Sequence, residues 1–219
     1  MCGRFALVTE KKILEMLFEI EFTEEIAARY NIAPSEMLPA LYRCPRGKTG
    51  LFHLRWGLIP SWAGERFGSS GLINVRAETV AHKFRGAFRE RRVLIPASGF
   101  YEWRKEGKNK QPYFIRRRDG QPFAFGGLYE KARAELQIPK SCAIITTAAN
   151  SLIRTVHHRM PLIIPEEHYP LWLDGAAPLV TLRTMLQPYP AGALELYPVS
   201  ARVNNPAFDH PDCLRKEER

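Results

Sequence analysis

Long hydrophobic runs are missing from this chain. Nowhere in its 219 residues does an apolar stretch approach the about eighteen residues that a membrane-spanning helix needs. The opening MCGRFALVTEKK has no basic start followed by a long apolar stretch, so no secretory signal is expected. Cysteine is scarce. The four present (Cys2, Cys44, Cys142 and Cys213) form no CxxC pair, which argues against a disulfide framework or a zinc site and leads us to expect a reduced, cytoplasmic protein. Repeats, low-complexity tracts and Gly/Ser linkers are absent, so one domain over residues 1–210 is expected, followed by a solvated tail over 211–219. Phosphate loops, dinucleotide fingerprints, metal-ligand clusters and Gly-x-Ser-x-Gly elbows are absent too. The expectation is therefore a protein without cofactor or metal.

What is present is positive charge. Thirty-two basic residues against 23 acidic ones leave a net charge of +9, and the isoelectric point near 9.6 suits a polyanionic partner, most commonly nucleic acid. Single clusters such as Arg89-Arg91-Arg92 and Arg116-Arg117-Arg118 read as solvated faces. The 17 prolines are scattered, which implies short elements joined by turns. Ile13, Leu14, Leu17 and Phe18 give residues 10–20 a helical apolar face, and Ala81, Phe84, Ala87 and Phe88 do the same for 81–89. Short helices are expected over 166–173 and 178–187. Strand patterns fall at 51–55, 93–96, 99–103, 113–117, 123–128, 142–147, 162–164 and 194–198. Strands that do not alternate with helices predict an α+β domain, mainly antiparallel sheet in an open, barrel-like arrangement with peripheral helices.

Five segments combine functional side chains with restrictive residues: Met1-Cys2-Gly3-Arg4-Phe5, Tyr30-Asn31-Ile32-Ala33-Pro34, Asn74-Val75-Arg76-Ala77-Glu78-Thr79, Gly99-Phe100-Tyr101-Glu102-Trp103 and His157-His158-Arg159-Met160-Pro161. Together, and in this order, they resemble the SOS-response-associated peptidase family, also described as abasic-site-processing proteins. Trp56-Gly57-Leu58-Ile59-Pro60-Ser61-Trp62, Arg92-Val93-Leu94-Ile95-Pro96 and Thr146-Thr147-Ala148-Ala149-Asn150 fit the same resemblance, which runs from Cys2 to about Pro206.

Cys2 becomes a distinctive reagent if Met1 is removed. Its α-amine and thiol then form a 1,2-aminothiol, which condenses with an aldehyde to a Schiff base and closes to a thiazolidine. An α-amine titrates at about 7.7–8.0 against about 10.4 for lysine, so a useful neutral fraction exists at neutral pH. A ring-opened abasic deoxyribose supplies the aldehyde. In an alternating strand, Tyr101 and Trp103 share one face and Glu102 lies with Phe100 on the other, where desolvation raises a carboxyl pKa.

The resemblance implies a catalytic set of Cys2, Asn74, Glu102 and His157. Asn74 orients the residue-2 amine and the sugar, Glu102 assists ring opening and Schiff-base chemistry, and His157 shuttles a proton at the sugar hydroxyl. The family pattern His-Asp-Arg-Met-Pro has His158 where its aspartate is expected. Neighbours in an extended segment point to opposite faces, so His158 is expected to be a surface turn residue. The resemblance also implies DNA contacts: Arg4, Arg76 and Arg159 to phosphates, with Asn31 beside them. Arg4, Arg76 and Arg159 have internal ion pairing as their competing reading, for instance Arg76 with Glu78 or another carboxylate. Trp103 and Trp62 offer faces for stacking bases, whereas Trp56 is read as core. His53, His82, His168 and His210 stand alone and read as structural or surface residues.

The expected partner is single-stranded DNA containing abasic sites, bound by a monomeric, nucleoid-associated protein, with β-elimination as a side activity. A self-processing cysteine peptidase and a non-enzymatic reader of damaged or single-stranded DNA remain as alternatives.

Overall fold

The structure is a computed structural model that describes residues 2–44, 47–63, 71–107 and 109–218, without the side chain of residue 136. Its strands are β1 (Phe5–Leu7), β2 (Arg29–Ile32), β3 (Met37–Arg43), β4 (Thr49–Trp56), β5 (Asn74–Arg76), β6 (Arg92–Ala97), β7 (Gly99–Glu106), β8 (Asn109–Arg117), β9 (Phe123–Glu130), β10 (Ser141–Ala148), β11 (Arg159–Pro161), β12 (Ile163–Ile164) and β13 (Leu194–Pro198). The helices are α1 (Lys11–Phe18), α2 (Ala77–Lys83), α3 (Arg85–Glu90), α4 (Tyr169–Leu173) and α5 (Leu179–Thr184).

Two sheets form the molecule. The first runs β13-β8-β7-β1-β2, antiparallel throughout. In the second, β3 pairs with β4, β4 with β10, β10 with β9, β9 with β6, and β6 returns to β3. These five strands therefore close into a ring, where the sequence led us to expect an open barrel. Closure removes the free edges that invite pairing with other chains. β10 pairs in parallel with β4 and β5, and the other pairings of this sheet are antiparallel. The ring demands close approach at Gly127 of β9. A Cβ there would sit 2.6 Å from the Ala143 carbonyl oxygen of β10, a spacing that only glycine permits.

Phe5, Trp56, Phe100, Phe125, Ile144 and Trp172 are fully buried in one core cluster. Phe5 meets Trp56 and Phe125 edge-on at ring separations of 5.3 and 5.6 Å. Burying each such side chain contributes about 1.5–3 kcal/mol. A second cluster holds Tyr101, Phe114 and Cys213, with Trp103 packed against it. Phe100 and Tyr101 thus face different cores, and the alternation expected for β7 holds.

The helical face expected over 81–89 is broken. α2 starts earlier, at Ala77, and Phe84 separates it from α3 with a non-helical φ of −124° and ψ of 33°. Arg92 is not on a solvated face. It is 4% exposed, and its guanidinium donates to the carbonyls of Phe88, Arg89, Trp172 and Asp174. It thereby satisfies carbonyls at the C-terminal ends of α3 and α4, which the helices themselves leave unpaired.

The C-terminal segment is not the solvated tail expected from its composition. Cys213 is fully buried, Tyr197 donates its hydroxyl to the Leu214 carbonyl, and Val199 bridges to Lys216. Among the described residues no helix is long and apolar enough to cross a membrane.

Candidate active site at the seam between the two sheets

The first sheet supplies Cys2 and Glu102. β1 lies between β2 and β7, with Phe5 opposite both Ile32 and Phe100. The Tyr101 N–H donates to the Arg4 carbonyl at 3.0 Å, which carries the strand pairing back towards residue 2. The second sheet supplies the rest. β5 aligns Asn74 with Ile144 of β10, and β11 aligns Arg159 with Ala148 on that strand's other side. Asn74 thereby reaches the backbone of Cys2, and His157 reaches Glu102 on β7.

Cys2 is fully buried, and its thiol lies 3.8 Å from the Arg4 carbonyl oxygen. Burial, reinforced by the Glu102 carboxylate, pushes its pKa well above the usual thiol range. Asn74 donates from Nδ2 to the Cys2 carbonyl at 2.8 Å. The buried Oδ1 of the same amide has no hydrogen-bond partner among the described residues. An acceptor left this way is costly, by about 1–3 kcal/mol, unless a donor arrives.

Glu102 is 2% exposed, and burial pushes its pKa up to about 7. Its Oε1 lies 3.9 Å from His157 Nδ1. His157 Nδ1 also lies 3.0 Å from the Arg159 N–H and 3.1 Å from the Arg159 carbonyl oxygen. With a donor and an acceptor both in reach, the ring can hold either neutral tautomer without moving. Burial lowers the His157 pKa and favours the neutral ring. Among the described residues there is no group of three or more potential metal ligands.

The remaining residues divide by geometry. Arg76 is exposed, and its side chain makes no ion pair or hydrogen bond with the described residues. Arg159 is committed instead. Both terminal nitrogens reach the Glu78 carboxylate, Nη2 at 2.9 Å, and Nη2 also reaches the Thr146 carbonyl. Glu78 therefore pairs with Arg159 and not with Arg76, an arrangement that neighbouring sequence positions did not reveal.

Arg4 donates to Asn31 Oδ1 at 2.8 Å, to the Val203 carbonyl at 2.7 Å and to the Asn204 carbonyl at 3.2 Å. Asn31 is fully buried, and its Nδ2 donates to the carbonyls of Val203, Asn205 and Phe208. Asn31, for which a DNA contact is expected, is thus held inside the fold by these four partners, where it acts as a staple for the C-terminal segment. Asp209 completes the staple from the other side, accepting from the N–H groups of Tyr30 and Asn31 and pairing with Arg29.

Trp103 is half-buried, and its Nε1–H donates to Asn204 Oδ1 at 2.7 Å. Trp62 is 67% exposed, whereas Trp56 is fully buried as expected. Sequence reasoning missed Asp209 and Asn204, and it placed Thr146 in a segment that fits the family resemblance without reading a role for it. Asp209 and Asn204 lie far along the chain from their partners and carry no local signal. A cavity of about 850 Å³ between the end of α1, β3 and α4 contains none of these residues.

Comparison with known proteins agrees with the sequence pattern. The family model described as SOS response associated peptidase (SRAP) matches residues 1–206. The abasic site processing protein YoqW of Bacillus subtilis is 39% identical, over 98% of this chain and 99% of its own length. The abasic site processing protein YedK of Escherichia coli is 33% identical over 79% of each chain, and the chicken protein HMCES, of the same description, is 32% identical over 75% of this chain and 56% of its own. In three dimensions the fold resembles that of a Bacteroides thetaiotaomicron protein, with a TM-score of 0.86, 22% identity and coverage of 99% and 100% of the two chains. A phage-related protein from Bordetella bronchiseptica gives a TM-score of 0.75 at 28% identity, over 90% of this chain and 94% of its own. On the match of residues 1–206 and the identity of its relatives, the chain belongs to the SOS response associated peptidase (SRAP) family.

Proposed function

We propose that this protein processes abasic sites in DNA, capturing the ring-opened sugar through residue 2 once Met1, which lies outside the described residues, has been removed. The observation that carries this reading is the meeting at Cys2 of a carboxyl group titrating near neutrality (Glu102), an imidazole 3.9 Å from it (His157) and an amide already bonded to the Cys2 backbone (Asn74). Relatives that carry the description abasic site processing protein support the substrate class.

The chemistry follows in order. The neutral amine of Cys2 adds to the sugar aldehyde to give a carbinolamine. The protonated Glu102 gives a proton to the departing hydroxyl, water leaves, and an imine forms. The thiol then adds to the imine carbon, its proton passing to the imine nitrogen through Glu102 or His157. The ring closed is a thiazolidine, and the sum is aldehyde plus aminothiol giving adduct plus one water. Asn74 Oδ1, a buried acceptor lacking a donor, suits the amine that processing creates at residue 2. Arg76, exposed and uncommitted, suits a phosphate. Single-stranded DNA is the expected form, since the sugar is reached there without unpairing a duplex. The Schiff base also permits β-elimination as a side reaction.

A cysteine peptidase is the second reading, favoured by the family's description. A nucleophilic cysteine needs a lowered pKa and a cationic neighbour. Here burial and Glu102 raise the thiol pKa, which suits an amine that reacts first. A non-enzymatic reader of damaged DNA leaves the carboxyl near neutrality without a use.

The test is intact mass spectrometry after mixing with a single-stranded abasic oligonucleotide. The expected product has the mass of protein without Met1 plus DNA minus one water, and resists heat. Cys2→Ser should give an adduct that needs borohydride trapping, and Cys2→Ala none that resists heat. Heat-stable adducts from Cys2→Ser equal to wild type would rule out ring closure by sulfur. Proteolysis lost with Cys2→Ala, without any adduct in wild type, would favour the peptidase.

A further inference from the structure

His157 and His158 do not point to opposite faces, as neighbours in an extended strand would. They precede β11, and their imidazoles stack on one another with ring centres 4.4 Å apart and planes 28° from parallel. His157 is half-buried against Glu102, and His158 lies on its solvent side, fully exposed. The backbone of Arg159 grips His157 through Nδ1. Its other faces meet Glu102 and the His158 ring.

We propose that His158 is a positioning residue of this site: the two stacked rings hold at most one proton between them, and a charge on exposed His158 keeps His157 neutral. The inference rests on the proposed function for its catalytic meaning, but not for its test. Two like charges at this separation oppose each other, while water solvates a charge on His158 and cannot reach one on His157 as well. The repulsion is mutual: a charge on His157 is the largest cause that lowers the His158 pKa, but burial lowers that of His157 while water solvates His158, so as the pH falls the first proton goes to His158 and delays the second. Other charges face the pair. Glu102 on β7 favours protonation; the amino terminus, Arg159 on β11 and Arg76 on β5 oppose it, and Glu78 on α2 offsets Arg159. The pair therefore extends downward in pH the range over which His157 can accept a proton. An aspartate at position 158 would do the reverse, drawing a proton onto His157.

The test uses the full chain without DNA first. The His157 imidazole is titrated by NMR in wild type, His158→Phe and His158→Asp. His158→Phe keeps a flat ring but removes the charge, and should move the His157 midpoint up by about 0.7 pH unit. His158→Asp should move it up further. Crosslinking to abasic DNA is then followed against pH, each variant compared with wild type. Relative to wild type, the low-pH loss of rate should begin earlier in both variants. Thermal melting checks that each variant folds. An unchanged His157 midpoint in both variants overturns the proposal, whatever the crosslinking shows. Shifted midpoints without any adduct from wild type would leave the pair standing and remove the proposed function.

Discussion

Glu102 Oε1 and His157 Nδ1 stand 3.9 Å apart across the seam between two sheets, the carboxylate on β7 and the imidazole at the entry to β11. Neither residue is near the other in sequence, and each is held by its own strand. Burial raises the carboxyl pKa to about 7 and lowers the imidazole pKa, so near neutral pH Glu102 is divided between its acid and base forms while the neutral His157 ring is favoured and can accept a proton.

Glu102 should make the protein less stable as pH rises. Its folded pKa, about 7, lies above the ordinary value of 4.5. The folded state therefore binds more protons between these values, and stability falls with pH across that window. Glu102→Gln should remove this slope and raise stability above pH 8 by on the order of 3 kcal/mol. The same change should slow adduct formation by roughly 10²-fold, with little change in affinity for intact single-stranded DNA. Melting temperatures at pH 5 and pH 8, with single-turnover crosslinking, check both. A wild-type melting temperature that climbs between these values would refute the assignment.

Arg76 and Arg159 should behave differently towards DNA. Arg76→Ala should weaken binding of any single-stranded sequence and reduce the salt slope by about 0.7. Arg159→Ala should change the slope less, because Glu78 already neutralises the guanidinium. Affinities measured across a series of salt concentrations decide. Equal slopes for wild type and Arg76→Ala would exclude the phosphate contact.

Asn31→Ala should loosen the C-terminal segment while leaving the barrel intact. It removes donation to three carbonyls and the acceptor for Arg4, at a cost of about 1–3 kcal/mol. Hydrogen exchange should rise over residues 203–213 and remain slow in β9 and β10. Uniform loss of protection would mean that the segment is part of one cooperative core. Arg4→Ala should show the same local pattern, so any effect on DNA binding has to be read beside it.

Arg92→Met should destabilise the fold by about 2–4 kcal/mol, since it leaves buried carbonyls at two helix ends without a donor. Arg92→Lys should recover only part of this, because one ammonium cannot reproduce a planar fork. Chemical denaturation with an unchanged slope measures it. A neutral Arg92→Met would show that water satisfies those carbonyls.

Some of this could be read from the chain alone. The period-two apolar pattern over 99–103 and 123–128 defines strands because alternate side chains must meet a core, and Glu102 beside Phe100 follows from that alternation. The order of the five motif segments pointed to the family. Strands such as β3, interrupted by Pro39, and the three-residue β1, β5 and β11 were too short or irregular for periodicity to mark. Closure of the ring depends on β9 pairing with β6 on one edge and β10 on the other, a relation between segments that no window contains. The composition of 211–219 reads as a tail, yet Cys213 is buried, Leu214 accepts from Tyr197 and Lys216 bridges to Val199. The two histidines stack because the backbone leaves the extended form just before β11. Local sequence thus determined which faces are apolar and which residues carry chemistry, because those depend on neighbours two to four positions away. Which charges are neutralised, and which groups meet at Cys2, were decided by contacts between residues as far as 200 positions apart, as between Arg4 and Asn204.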